Sequence, residues 1–105
     1  MASEDQLRSW KRTSAYLLDA RNNLSESAEG VCQDEIAEFQ EYLDHNELEI
    51  ALDCLDVVVE KSAVESLRVV ELLALAAASM GLGTRVERYD RHLSEVRGIP
   101  YKTKL

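Results

Sequence analysis

LDHNELEIALDCL, Leu43 to Leu55, is the stretch on which the reading of this chain turns. It begins at the end of one apolar-periodic segment and runs into another, with the polar triplet Asp44-His45-Asn46 between them. Asp and Asn favour turns because their short side chains bond the nearby backbone. Asn46-x-x-Glu49 also has the form of an N-cap, the Asn oxygen accepting an orphan N–H while the glutamate reaches back. The expectation is a corner between two helices, an αα-hairpin. Neither arm offers a cation, so this corner is not a DNA reader.

Working outward, Cys32, Ile36, Phe39 and Leu43 recur at spacings of four, three and four, which places them on one side of a helix opposite Asp34, Glu35, Glu38 and Glu41. Gly30 is either a break before that helix or a glycine inside it. Downstream, Leu48, Ala51, Leu52, Leu55, Val58 and Val59 form a wide arc that Ile50, Cys54 and Val57 extend. Only Glu49, Asp53, Asp56 and Glu60 make a polar strip, so a helix over 47–60 belongs near the centre of the fold. Ser62-x-x-Glu65 predicts the start of the next helix, with Leu67, Val70, Leu73, Ala74 and Ala77 as its stripe and Gly81 as its C-terminal cap. Thr84-x-x-Glu87 predicts another, with Val86, Tyr89, Leu93 and Val96 inward. At the N-terminus, Ser3-x-x-Gln6 is a capping-box pattern opening a helix that carries Leu7, Trp10, Leu17 and Leu18 towards Leu24.

Four glycines and one proline in 105 residues, with aliphatic residues and alanine dominating the apolar set, favour helices over strands. The fold expected is all-α: a compact four- to five-helix bundle with a central αα-hairpin, one domain over 1–105. The polar N-terminus resembles neither a secretory signal nor a membrane anchor, and the apolar run Leu72–Ala78 is too short to span a bilayer. A cytoplasmic protein is expected.

From Asn22 to Glu60 there is no Lys or Arg, while twelve acids fall there. Against a chain total of −8, the remainder carries +4. Nucleic acid and anionic membrane surfaces are excluded as partners by this field, because both need clustered cations. A basic protein is the partner it attracts. Like charges at i,i+3 and i,i+4 each cost a few tenths of a kcal/mol, so the strip Glu49, Asp53, Asp56, Glu60 gives up about 1 kcal/mol of local helix stability. Read as a solvated or partner-facing strip, Asp53 and Asp56 should tolerate reversal to lysine with little change in melting.

Cys32 and Cys54 have no metal-ligand spacing and read as reduced, half-buried hydrophobes. His45 with Asp44, Glu47 and Glu49 has the ligand types for a divalent cation. A di-metal bundle, however, needs Glu-x-x-His, and Tyr42 and Tyr89 stand three residues before His45 and His92. No G-x-S-x-G occurs, and the Gly81–Thr84 segment lacks the lysine and preceding strand of a phosphate loop. No cofactor, metal or catalytic residue is expected, and the chain reads as a non-enzyme.

The segment EFQEYLDHNELEIALDCLDVVVEKS, Glu38 to Ser62, resembles the central helix–turn–helix of small all-helical bacterial immunity proteins of the MafI type. The likeness lies in Tyr42-Leu43 closing a helix, His45 in the turn, Glu47 opening the next, and Ala51-Leu52 with Leu55 as core. Met80-Gly81-Leu82 also fits. The resemblance covers about a quarter of the chain. It implies a protein that binds and silences a cognate toxin domain. The segment also resembles one tetratricopeptide hairpin, but no period of about 34 residues recurs.

These features lead to an expected immunity protein whose acidic surface neutralises a basic toxin, a nuclease rather than a pore former because nucleases carry basic clefts. The pool of contacts is Glu38, Glu41, Asp44, Glu47, Glu49, Asp53 and Asp56, with Tyr42 and His45 as anchors at the corner. The alternative is a helical adaptor or regulatory subunit for a basic protein that is not a toxin. Oligomeric state is not legible in the sequence.

Overall fold

The computed structural model describes residues 3–62 and 66–105. Among these the chain forms six helices and no strand: α1 (Glu4–Asn22), α2 (Glu26–Val31), α3 (Gln33–Asp44), α4 (Leu48–Ser62), α5 (Leu67–Ser79) and α6 (Gly83–Arg97). The Cα radius of gyration, 13.5 Å, is close to the roughly 13 Å of a compact chain this long.

Helix α1 opens with the expected capping box: Ser3 Oγ accepts from the Gln6 amide at 3.1 Å, and Gln6 Oε1 accepts from the Ser3 amide at 2.9 Å. Its buried face differs from the expected one. Thr13, Leu17 and Ala20 are buried with Leu24 beyond them, while Leu7, Trp10 and Leu18 are exposed. The reason is the neighbour. Helix α1 packs along α5 through short side chains, with Thr13 Oγ1 donating to the Ser9 carbonyl at 2.8 Å and lying 2.6 Å from Ser79 Oγ. Leu17 fills the same buried face, and the short Thr13 and Ser79 side chains let the two helices approach closely beside it.

The extra helix relative to the expected four or five arises at Cys32. The chain breaks there, at φ −116° and ψ 36°, and Gly30 stays inside α2. Cys32 is fully buried and Cys54 nearly so, which anchors the break in the core.

The turn after α3 corrects the role given to Asn46. Asn46 has φ 57°, the left-handed region that Asn tolerates better than other side chains. Its amide bonds the Leu43 carbonyl at 3.0 Å, and the Glu47 amide bonds the Tyr42 carbonyl at 2.9 Å. That pair of bonds is a Schellman motif, so Asn46 terminates α3 instead of capping α4. Gly81, at φ 73°, ends α5 the same way: its amide bonds Ala78 and the Leu82 amide bonds Ala77.

Two other expected caps shift. Ser62 is the last residue of α4, its hydroxyl donating to the Val58 carbonyl, and Glu65 lies outside the described residues. Thr84 sits inside α6, which starts at Gly83 without a side-chain cap. At α6 the boundary is drawn by the turn at Gly81 and Leu82, not by the Thr84 hydroxyl.

Helix α4 lies against α1, α2, α3 and α5 and buries Leu48, Ala51, Leu52, Cys54, Leu55 and Val58. The stripe expected on α5 is present: Val70, Leu73, Ala74 and Ala77 are buried, with Leu67 at its edge. On α6, Tyr89 and Leu93 point inward, Val86 is half-buried and Val96 is exposed. No helix among the described residues is long and apolar enough to cross a membrane.

The basic tail is docked. After Gly98 turns the chain in the left-handed region, the Tyr101 amide bonds Ser94 Oγ at 2.8 Å and the Thr103 amide bonds Asp90 Oδ2 at 3.0 Å. Arg97 stacks its guanidinium over the Tyr101 ring, 5.0 Å from the centroid.

Candidate functional site

The nine residues expected to meet a partner divide into two groups in space. Glu38 and Glu41 lie exposed on α3, and Asp44, His45, Glu47 and Glu49 are exposed at the α3–α4 corner. Tyr42 is half-buried against the core. His45 turns back on its own helix, Nδ1 lying 2.8 Å from the Glu41 carbonyl, which also closes the end of α3. Asp44 accepts from Gln40 Nε2 at 2.8 Å. Among the described residues, Glu38, Glu41, Glu47 and Glu49 form no ion pair.

Across the seam between α3 and α4, the acids converge on Cys54. Burial first, then the negative charges of Glu38, Asp53 and Glu35, push its thiol above the ordinary value. The thiolate is the reactive form, so this setting makes Cys54 a poor nucleophile. Lys61, the first cation after the acidic run, returns to Glu35 at 3.3 Å.

Asp53 and Asp56 belong to a different arrangement. Arg85 of α6 reaches both, one guanidinium nitrogen to each carboxylate. Arg88 donates to Asp56 Oδ2 at 2.8 Å, and the Tyr89 hydroxyl donates to Asp56 Oδ1. Asp56 therefore receives three donors with its side chain 16% exposed, a geometry that compensates a buried charge. Burial, followed by Asp56, raises the Tyr89 hydroxyl well above its usual range. For Arg85, burial alone would lower the guanidinium, but the hydrogen bond to Asp56 and the negative groups around it carry it higher, so it stays charged.

The strip on α4 is thus neither wholly solvated nor without cations. The relief comes from α6, about thirty positions away in sequence, and reversal of Asp56 to lysine would place three cationic groups together in a half-buried site. Nothing local in the sequence marks this clamp; the only signal is that Arg85, Arg88 and Tyr89 share one face of α6 at i, i+3, i+4.

Beside the clamp, Val59, Val70 and Leu73 floor a cleft of about 280 Å³ whose rim is Asp56, Glu60, Arg88, Tyr89 and His92. Its size is just under the roughly 300–1,000 Å³ of small-molecule sites. The Asp56 oxygens on its rim are already committed to α6. Among the described residues, no three His, Cys, Asp or Glu side chains are grouped to hold a metal ion.

Comparison with protein-family models, with curated proteins and with solved structures finds no match for this chain. The functional reading therefore rests on the surface itself. What that surface offers is an acidic ridge of Glu38 and Glu41 on α3, continued by Asp44, Glu47 and Glu49 at the corner, carried on two helices whose inner faces are fixed by Phe39, Leu48 and Leu52.

Proposed function

We propose that this chain is an immunity protein that binds a cognate bacterial toxin domain in the cytoplasm and neutralises it without catalysis or a cofactor. The αα-hairpin of α3 and α4 presents the binding surface. The observation that carries the reading is the acidic ridge, whose Glu38, Glu41, Glu47 and Glu49 have no ion-pair partner among the described residues. Exposed unpaired acids repel one another and lower the stability of the helices that hold them, a cost that recognition of a basic surface offsets. The resemblance of Glu38–Ser62 to MafI-type immunity proteins supplies the class of partner, and a nuclease domain supplies the basic cleft such a ridge complements.

Relative to the sequence-based pool, the contacts narrow to Glu38, Glu41, Asp44, Glu47 and Glu49, with Tyr42 and His45 at the corner. Asp53 contributes only its outer side, and Asp56 acts through the fold.

The test is a tagged pull-down of this chain with the product of the adjacent upstream reading frame, coupled to a growth assay of that product. The expected result is a lethal product that co-purifies one-to-one, with growth restored by this chain and lost again for Glu38→Lys with Glu41→Lys. A harmless neighbour that does not bind overturns the immunity reading. Stoichiometric capture of a harmless basic protein favours the adaptor, which the same ridge would serve.

A further inference from the structure

We infer that α6 and the tail that follows it form a lid on α5, which opens as one unit while the rest of the bundle stays folded. The first support is uneven burial. Helix α6 buries two side chains, Tyr89 and Leu93, where α4 buries six and α5 seven. Helix α4 lies against α1, α2, α3 and α5, and α5 against α1, α4 and α6, whereas α6 packs along α5. Segments with few buried apolar contacts open at lower free energy than the core beside them.

The second support is the way α6 is held. Residues two apart on a helix point in nearly opposite directions, so Arg88 and Asp90 mark two flanks. On the first flank Arg85, Arg88 and Tyr89 meet Asp56, and Arg85 also meets Asp53. On the second, Asp90 accepts from the Thr103 amide at 3.0 Å and from the Thr103 hydroxyl, and Ser94 Oγ accepts from the Tyr101 amide at 2.8 Å. Arg97, stacked on Tyr101, pairs with Glu71 of α5. These fastenings are polar. Opening returns both partners of each to water, so the net loss per bond is small, unlike truncation of one partner alone. The chain enters α6 through the left-handed turn at Gly81, φ 73°, which serves as the hinge.

The open form has a different surface. Val70 and Leu73 of α5, which share the cleft with Tyr89, meet water. Asp53 and Asp56 lose their arginines, so the strip Glu49, Asp53, Asp56 and Glu60 becomes anionic along its whole length. The lid thus sets whether this side of α4 is neutralised or acidic.

Hydrogen–deuterium exchange of the full chain at neutral pH tests this. The expected result is that the amides of α6, with those of Tyr101 and Thr103, share one opening that is at least about tenfold more populated than the opening that exposes the slowest amides of α4. Thr103→Val on one flank and Tyr89→Phe on the other each remove one hydroxyl bond, and each should speed α6 exchange about fivefold. Phe39→Leu, a core change on α3, should speed the slowest α4 amides about tenfold and leave α6 exchange unchanged, because the lid opens with that core intact. Exchange of α6 at the rate of the slowest α4 amides, equal acceleration of α6 and α4 by Phe39→Leu, or α6 exchange unmoved by Thr103→Val overturns the inference. The measurement uses this chain alone, so its failure leaves the partner reading of Glu38 and Glu41 standing.

Discussion

The Tyr89 hydroxyl of α6 donates to Oδ1 of Asp56 on α4, 33 positions earlier in the chain. With Arg85 and Arg88 on the other oxygen, this bond makes Asp56 the point at which α6 is fastened to α4. The clamp lies beside the Val59, Val70 and Leu73 cleft, so its donors and its carboxylate are partly withdrawn from water. Removing one side of such a pair is costly because the other is left uncompensated.

Asp56→Ala should therefore lower stability by about 2–4 kcal/mol, since it takes the acceptor from the Tyr89 hydroxyl and leaves Arg85, whose side chain is only 19% exposed, with the exposed Asp53 alone. Asp53→Ala should cost under about 1 kcal/mol, because its carboxylate is 57% exposed and solvent replaces the pair. Urea unfolding of the two variants checks this. Equal midpoints would mean that the clamp does not depend on Asp56.

Alkaline pH should loosen the fold. The folded state holds the Cys54 and Tyr89 protons above their ordinary pKa values of 9.0 and 10.0. Above pH 9 the unfolded chain releases them first, binds fewer protons than the folded state, and stability falls as pH rises. Thermal melts from pH 7 to about 10.5 should show a decline that Tyr89→Phe makes shallower. That variant should also lose about 1 kcal/mol at pH 7 for the missing hydrogen bond. An identical slope in Tyr89→Phe would exclude this hydroxyl as the source.

How far the sequence discloses this molecule depends on whether a feature is local. The Ser3–Gln6 box, the Gly81 stop and the α5 stripe need only neighbours within a turn or two, and all three are present. Asn46 is ambiguous locally, because the same short amide suits an N-cap and a left-handed C-terminal position; the carbonyls of Leu43 and Tyr42 decide between them. The buried face of α1 is disguised by its own chemistry. Thr13, Leu17, Ala20 and Leu24 keep the spacing of four, three and four, but two of them are small or polar, while Leu7, Trp10 and Leu18 look like core and are not. The Asp56 clamp joins segments about thirty positions apart, and no periodicity encodes which arginine meets which acid.

The left-handed turn at Asn46 gives a backbone prediction. Asn46→Gly should be neutral within about 0.5 kcal/mol, because glycine adopts φ 57° without a steric penalty. Asn46→Val should cost about 1–2 kcal/mol, because a β-branched side chain resists that region. Chemical denaturation measures both. If valine matches glycine, the Schellman end of α3 is not holding the corner.

Leu55 on α4 and Phe39 on α3 are both fully buried, and the two helices pack against each other. Leu55→Ala should cost about 2–5 kcal/mol and Phe39→Ala about 3–5 kcal/mol, each from lost transfer energy plus the cavity left behind. The ridge acids lie on the outside of the same pair of helices, so Glu38→Lys with Glu41→Lys should leave the melting temperature unchanged or raised, as like-charge repulsion along α3 is relieved. Stability and recognition then separate by face: core truncations should weaken partner binding only in step with the loss of folded protein, whereas ridge reversals should weaken it with folding intact. Titrating the partner against each variant at a temperature where all remain folded distinguishes the two. Core variants that bind poorly while fully folded would show that the inner packing of α3 and α4 positions the ridge, and would move Phe39 and Leu55 from support of the fold to support of the surface.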